Sequence, residues 1–264
     1  MRAAMNSDPR GNQGQSGQAM VEAALTLPLV VFLLLGTLQL FLMLQARVLA
    51  HYAAFQATRA GSVAHGECER MTHAAILALI PSFHSFLGLS SSTDEVRHGG
   101  GGGAPARLAA AFRARRDNRF QAGLDGVHTG SIVWINRAII GGGVGSPQDK
   151  EFDEPGHLRR LEVQLIYWYP LRIPFANWVM SRMFMAQMGI QDYRAANPLI
   201  LAEKDANWNQ GEFSNPITVA GDIRSELASR VARQQYVFPI ETTFTMRMLT
   251  PTKRRHFASM DCPR

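Results

Sequence analysis

The chain carries one long apolar segment near its amino terminus. From Ala23 to Leu44 it has no charged residue, and its polar residues are Thr26, Thr37 and Gln39. A helix of this length spans about 33 Å, enough to cross a hydrocarbon core about 30 Å thick. A core helix of a soluble protein normally has a polar face repeating every 3.6 residues, which this segment lacks. The pattern therefore predicts a single membrane-spanning helix, placed at residues 18–45.

Small residues continue the helical pattern past the apolar segment. They recur at alternating spacings of four and three residues, which places them on one narrow stripe: Ala46, Ala50, Ala53, Ala57 and Ala60. The spacing predicts a continuous helix from about Gln18 to about His73, whose outer half packs through this stripe against its own domain or a sister helix. Alanine is also the best helix former, so propensity alone is the alternative. Gly61 and Gly66 are the positions at which the helix would end earlier.

The rest of the chain shows shorter helical and strand patterns. Helices are predicted at Met71–Ile80, ended by Pro81, at Ala104–Arg116 and at Asp222–Gln234. Strands are predicted as buried at Ser131–Ile140 and, from alternating apolar and polar residues, as half-buried at Leu161–Tyr169 and Thr242–Met248. Glycine-rich stretches at 90–103 and 141–147 indicate a linker and a loop. The fold class is therefore α+β, with a long amino-terminal helix packed on a small antiparallel sheet.

These patterns divide the chain into five parts. We expect a cytoplasmic leader at 1–17, the span at 18–45, a stalk helix and second helix at 46–80, a linker and helix at 81–130, and an exported α+β domain at 131–264. A cleaved secretory signal is the alternative for the first parts, but its apolar region is usually only about 7–15 residues long. The short leader and the large remainder favour a cytoplasmic amino terminus.

Composition excludes several classes of protein. With 46% hydrophobic and 18% charged residues, the chain is neither largely disordered nor a multi-span transporter. The net charge of +6 comes almost wholly from arginine. Two basic clusters, Arg113, Arg115, Arg116 and Arg119, and Lys253, Arg254 and Arg255, have few aromatic residues among them, so we interpret them as solvated faces or contacts with anionic lipid. No nucleic-acid partner is expected.

Motifs for catalysis are missing from the sequence. We find no phosphate-binding loop with lysine, no His-Glu-x-x-His pair, no nucleophile elbow and no dinucleotide fingerprint. His65, Cys68 and His73 are close in sequence but too few for a structural zinc site, so no metal or cofactor is expected. Cys68 and Cys262 either form one disulfide in an oxidising compartment or stay as two thiols. A non-enzymatic protein is the prediction.

The start of the apolar segment has a spacing that points to processing and assembly. If a peptidase cut after Gly17, Gln18 would become the first residue and Glu22 the fifth, as in type IV prepilins. A carboxylate at the lipid boundary needs a partner, and the free amino terminus of a neighbouring subunit is one. The alternative is that Glu22 only complements the helix dipole. Pro28 either kinks the helix or is tolerated near its start.

Several short motifs accompany this spacing. They are Gly17-Gln18, Val21-Glu22-Ala23, Leu27-Pro28-Leu29, Leu35-Gly36 and Arg59-Ala60-Gly61. Through them the first quarter of the chain resembles the TadE-like family, the minor pilins or pseudopilins of tight-adherence (Flp-type) type IV pilus systems. The resemblance implies a single-pass protein of the bacterial inner membrane with a pilin-like fold, whose partners are the bilayer, other pilins or pilus-assembly proteins and, for some members, a prepilin peptidase.

The sequence therefore predicts a membrane-anchored, non-enzymatic component of pilus assembly, with its carboxyl-terminal domain in the periplasm or in an extracellular filament. The alternative is a bitopic envelope protein whose exported domain binds a partner, with the helix as a plain anchor.

One further segment, 174–190, is rich in large apolar residues, namely Trp178, Met183, Phe184, Met185 and Met188. It is either an ordinary core helix or an apolar surface that lies on the bilayer or contacts a partner.

Overall fold

The computed structural model describes residues 13–83, 104–113, 115–120, 130–141, 144, 159–187 and 219–263. The leader before residue 13, the predicted linker at 90–103, most of the predicted loop at 141–147 and Met188 lie outside the described residues. Within this part of the chain the architecture is α+β: a long amino-terminal helix packs on a three-stranded antiparallel sheet. This fold class is the predicted one.

Helix α1 (Gln13–Val63) begins five residues before the predicted start and runs through Pro28 without leaving the α-helical state. Its predicted continuation to about His73 is wrong. His65 and Gly66 have positive φ values of 57° and 78°, and the Gly66 N–H donates to the Gly61 carbonyl at 2.8 Å. Left-handed residues and a bond of this kind end a helix, because they satisfy carbonyls of its last turn while the chain reverses.

Helix α2 (Cys68–Phe83) follows the turn and packs back along α1. Pro81 was expected to end this helix at Ile80, but the helix includes Pro81 in its last turn. Pro81 has no N–H to donate to the Leu77 carbonyl, so one backbone hydrogen bond of this helix is lost. The close approach of the two helices requires a small residue on α1: a Cβ atom on Gly61 would lie 2.7 Å from the Met71 sulfur and 2.7 Å from the Leu161 side chain.

The sheet contains strands at all three predicted places. Two short strands, β1 (Arg119–Phe120) and β2 (Gly130–Ser131), pair with each other ahead of it. The sheet itself has the order β3 (Val133–Ile140), β4 (Arg160–Pro170), β5 (Val237–Arg247), all antiparallel. β5 starts five residues earlier than predicted and contains Pro239, which an edge strand tolerates because one of its sides needs no ladder bonds.

Both faces of the central strand are covered. On one face, Leu161, Val163, Leu165, Tyr167 and Tyr169 belong to the main core with α1 and α2. On the other, Ile166 and Trp168 belong to a second core. This second core is closed by α4 (Ala176–Gln187) and α5 (Val219–Ala232), through Met185, Ile223 and Leu227. The prediction of a half-buried strand at Leu161–Tyr169 is therefore wrong for its carboxyl-terminal half, which is buried on both sides.

The remaining elements are short. Helix α3 (Ala104–Arg113) ends three residues before the predicted limit and packs on α2. A short 3₁₀ helix (Arg254–Phe257) lies in the carboxyl-terminal tail. This tail returns to the far end of α1, where the N–H groups of Leu249 and Thr250 donate to the Ser62 carbonyl at 3.0 and 3.2 Å. The domain is thus closed at the end of α1 that is opposite the apolar segment.

Candidate membrane-anchoring and assembly site

The first part of α1 extends away from the rest of the described structure. Residues 20–38 contain no buried side chain, although most of them are large and apolar; Leu25, for example, is 72% exposed. Among the described residues, one helix is long and apolar enough to cross a membrane, with a mean hydropathy of 2.4 over its best window. Only 6% of that window is buried, which is unlike the core helix of a soluble protein.

Gln39 marks the level at which the domain begins to cover α1. Its side chain is fully buried, and its Oε1 accepts a hydrogen bond from the Ile173 N–H at 2.9 Å. Tyr169 also lies here: burial raises the pKa of its phenol, and Arg172 and a hydrogen bond with Gln39 act in the opposite direction. In the sequence, Gln39 is only a polar interruption of the apolar segment. A single amide side chain in an apolar helix is nevertheless a signal for a hydrogen bond to another part of the fold.

The alanine stripe lies against the sheet. Ala46, Ala50, Ala53 and Ala57 are at most 1% exposed, whereas Ala60 is only half-buried. Close packing brings the backbones together, since the Thr242 hydroxyl of β5 donates to the Ala50 carbonyl at 3.3 Å. Of the two packing partners considered for the stripe, the structure therefore places the chain's own domain there.

The opposite face of α1 has large apolar residues that stay uncovered beside the domain, namely Leu40, Phe41, Leu44, Val48 and Tyr52. Gln45, Arg47 and His51 are exposed among them. Val48 is 64% exposed and Phe41 67%. A helix that belonged only to this domain would have few large apolar residues on that face. The α1 helix therefore has one face that the domain fills and one that a lipid or protein partner can fill.

The predicted processing and assembly residues lie near the start of α1. Gly17 and Gln18 are within the helix, and Glu22 is exposed on it. The hydroxyl of Thr26 donates to the Glu22 carbonyl at 2.8 Å, one turn further on. Pro28 follows within the same continuous helix. The structure thus places Glu22 and Pro28 on the part of α1 that the domain does not cover.

At the other end of α1, a disulfide fastens the carboxyl-terminal tail. Cys68, at the start of α2, is joined to Cys262, with their Cα atoms 5.4 Å apart across 194 residues of chain. Of the two alternatives for these cysteines, the structure has the bridge.

The two histidines near Cys68 hydrogen-bond to the backbone. His65 Nδ1 hydrogen-bonds the Pro251 carbonyl and His73 Nε2 hydrogen-bonds the Arg116 carbonyl, so both imidazoles have backbone partners. In the described residues, no cluster of three potential ligands for a metal ion is found.

Arg137 holds the same tail from β3, a role that the sequence did not reveal. Its guanidinium donates to the carbonyls of Gly66, His256, Ser259 and Met260. It also lies over the Phe257 ring at 4.6 Å. Burial lowers the pKa of Arg137 to about 10, against the opposing effect of the Asp261 carboxylate, so the group is still charged at neutral pH. A single arginine in a strand pattern does not indicate that its side chain binds the carboxyl-terminal tail.

A comparison with known families decides which part of the chain carries a recognisable signature. Residues 17–59 match the TadE-like protein family. No curated protein and no solved structure matches the chain. The TadE-like segment covers Gly17, Glu22, Pro28 and most of the alanine stripe, which is the part of α1 that the sequence motifs singled out. The family suggests a membrane protein associated with the Tad pilus, and the bare helix before Gln39 suggests its association with lipid.

Outside the TadE-like segment, two interpretations change. Arg115 is only 5% exposed, so it does not belong to a solvated basic face, unlike the exposed Arg113, Arg116 and Arg119. Helix α4 serves two purposes: Met185 is buried in the second core, whereas Trp178 and Met183 are 52% and 65% exposed. The segment was considered either a core helix or an apolar surface, and it contains residues of both kinds.

Proposed function

We propose that this protein is a minor pilin- or pseudopilin-like component of a tight-adherence pilus assembly system, anchored in the bacterial inner membrane by α1 and without enzymatic activity. The observation that carries the proposal is the coincidence of the TadE-like match with the helix that, among the described residues, is long and apolar enough to cross a membrane and leaves its apolar surface uncovered. A plain anchor needs apolar residues only where it crosses lipid. Here exposed apolar residues continue past Gln39, along the domain, to Tyr52, with Gln45, Arg47 and His51 exposed among them.

The position of the alanine stripe supports this assignment. Because the stripe packs on the sheet, neighbouring subunits can reach only the opposite face of this part of α1. A helix with one face in its own domain and one apolar face free can pack against similar helices while the domains stay at the periphery. Leu40, Leu44 and Val48 form a row at i, i+4 and i+8 suited to such packing.

The disulfide supports the proposed orientation. Disulfides persist in the periplasm and outside the cell, whereas the bacterial cytoplasm keeps thiols reduced. The bridge between Cys68 and Cys262 therefore favours an exported domain and a cytoplasmic amino terminus.

The proposal of no enzymatic activity is supported by the structural contacts of three reactive side chains. Cys68 is in the disulfide, His65 hydrogen-bonds a backbone carbonyl, and Arg137 donates to four backbone carbonyls.

Glu22 supplies the experiment that tests the proposal. Glu22→Gln keeps the size of the side chain but removes the charge that would pair with the amino terminus of a neighbouring subunit. We expect it to lower co-purification with pilus-assembly partners about tenfold or more, since about 1.4 kcal/mol corresponds to a factor of ten. Membrane association should be unchanged, because the apolar length of α1 is unchanged. The measurement is quantitative pull-down from solubilised membranes.

Thr26→Val is the matched control. It removes a polar group one turn away, and only a bond to the backbone of the same helix is lost. If Glu22→Gln and Thr26→Val both leave co-purification at the original level, Glu22 only complements the helix dipole. If both variants lose their partners, the surface of the helix, rather than the Glu22 carboxylate, is responsible for partner binding. Unaffected assembly would also favour the alternative function, an envelope protein with α1 as a plain anchor.

Cleavage after Gly17 belongs to the filament-subunit version of this proposal. A mature chain that begins at Gln18 has its free amino group four residues before Glu22, which is the arrangement that pairing between neighbours requires. A chain that keeps Met1 in the membrane fits a pseudopilin or anchor that stays in the bilayer.

A further inference from the structure

The segment between β4 and α4 joins the domain to α1 at the level where the bare part of the helix ends. Residues 20–38 would extend over about 28 Å, close to the thickness of a hydrocarbon core of about 30 Å. Gln39 is the next residue, and its side chain binds the Ile173 N–H at 2.9 Å. Arg172 lines the same small cavity as Leu42 and Gln45 of α1. With the span in lipid, this segment therefore lies at the membrane surface.

Two aromatic residues of this segment are exposed. Phe175 is 75% exposed and Trp178 is 52% exposed. The Asn177 N–H donates to the Ile173 carbonyl at 2.9 Å, which keeps Trp178 within about one helical turn of Ile173. Both aromatics are therefore within five residues of Ile173, the residue that contacts Gln39. Tryptophan and other amphipathic aromatics are enriched at this depth, between the headgroups and the acyl chains.

The backbone at Phe175 has a left-handed conformation. Its φ is 65°, a left-handed value that bulky residues rarely adopt. The Ala176 N–H donates to the Pro174 carbonyl at 2.8 Å across it, so Phe175 is the centre of a tight three-residue turn. Strain of this kind persists where the side chain has a use that the rest of the fold enforces. Here the turn presents an aromatic ring outward rather than into either core.

Charge on the segment matches an anionic surface. From Leu171 to Gln187 the chain has two arginines, Arg172 and Arg182, and no acidic residue. Arg47 lies exposed on α1, about 12 Å further along the helix than Gln39. Basic side chains near the surface are attracted to anionic headgroups, while aromatic side chains enter the interface beside them.

We propose that Phe175 and Trp178 insert into the interface of the bilayer that α1 crosses, and so form a second attachment of the exported domain to lipid. This inference rests on the proposed function only in that α1 spans the membrane. Two attachments, the helix and the turn, fix the tilt and rotation of the domain about the end of the span. The domain then presents the uncovered face of α1 in one orientation to its neighbours.

Tryptophan emission tests the inference in the full chain. The protein is reconstituted in vesicles of phosphatidylcholine and phosphatidylglycerol whose acyl chains are brominated near the headgroup. The chain has four tryptophans, so the contribution of Trp178 is the difference between the original chain and Trp178→Phe. We expect this difference signal to be quenched by the brominated lipid and protected from acrylamide added to the water. Leu249→Ser should leave the signal unchanged, because Leu249 binds at the level of Ser62, about 35 Å along α1 from Gln39.

Each other result overturns the inference in a distinguishable way. Flotation of the vesicles reports whether α1 holds the chain in lipid. If the chain floats but Trp178 is quenched by acrylamide and not by bromine, the turn stays in water while the span stands. If Trp178 is protected from both quenchers, a protein covers it instead of lipid. If the chain does not float, the membrane anchor itself is wrong, and the proposed function fails with it.

Discussion

Replacement of Arg137 by alanine is expected to lower the free energy of unfolding by about 3–5 kcal/mol. Arg137 is 4% exposed, and its guanidinium donates to four backbone carbonyls from the α1–α2 turn and the tail, with distances of 2.8 Å to His256 and 2.6 Å to Ser259. Without it these carbonyls lose their donor, and the Phe257 ring loses the cation over its face. Denaturant unfolding of the full chain in detergent micelles measures the loss.

Arg160→Ala is the control for the arginine substitution. Arg160 stands exposed on the adjacent strand β4, opposite Ile140 of β3, so its removal should change the free energy of unfolding by less than about 0.5 kcal/mol. Equal losses for the two variants would contradict the role assigned to Arg137. If Arg137→Ala leaves the free energy of unfolding unchanged, the tail is held by its other contacts alone.

Loss of the disulfide is expected to lower the free energy of unfolding by about 2–5 kcal/mol. The bridge closes a loop across 194 residues, so it restricts the unfolded chain strongly. Treatment of the original chain with a reductant should reproduce the effect of Cys68→Ser combined with Cys262→Ser. The doubly substituted chain should not respond to the reductant. A response of that variant, or none from the original chain, would contradict the assignment.

The two effects should not be additive. Arg137 and the disulfide fasten the same tail to the same end of α1, through contacts within a few residues of each other. Once the tail has detached, removing its second fastening costs little more. The combined variant is therefore expected to be less destabilised than the sum of the two losses.

Much of the fold was predictable because its signals are local. The apolar length of α1, the four-three alanine spacing and the alternating strands all depend on period and composition. The end of α1 was less certain, since the chain turns at His65, and a positive φ is uncommon for any residue other than glycine. The burial of β4 on both faces was not predictable from its own sequence. Its alternating apolar and polar residues are compatible with a strand that has one buried face and with a strand that has two.

The functional regions divide in the same way. The proposed processing motif, Glu22 and the candidate span could be singled out from sequence because they lie in one continuous segment. Gln39 and Arg137 act through residues distant in sequence, Ile173 and the tail from His256 to Met260. Their partners are set by the fold, so no local pattern identifies them. Phe175 and Trp178 were part of a recognised apolar segment, but their level relative to the span needed the contact with Gln39.

Photocrosslinking from the uncovered face of α1 tests the central claim most directly. A benzophenone amino acid at Val48, which is 64% exposed, is introduced in cells that assemble the pilus. The same group at Leu249, which is 42% exposed near the far end of the domain, is the control. The account predicts adducts with another pilus subunit or a second copy from Val48 and far fewer from Leu249. Equal adducts from both positions, or none from Val48 in a chain that remains in the membrane, would contradict it.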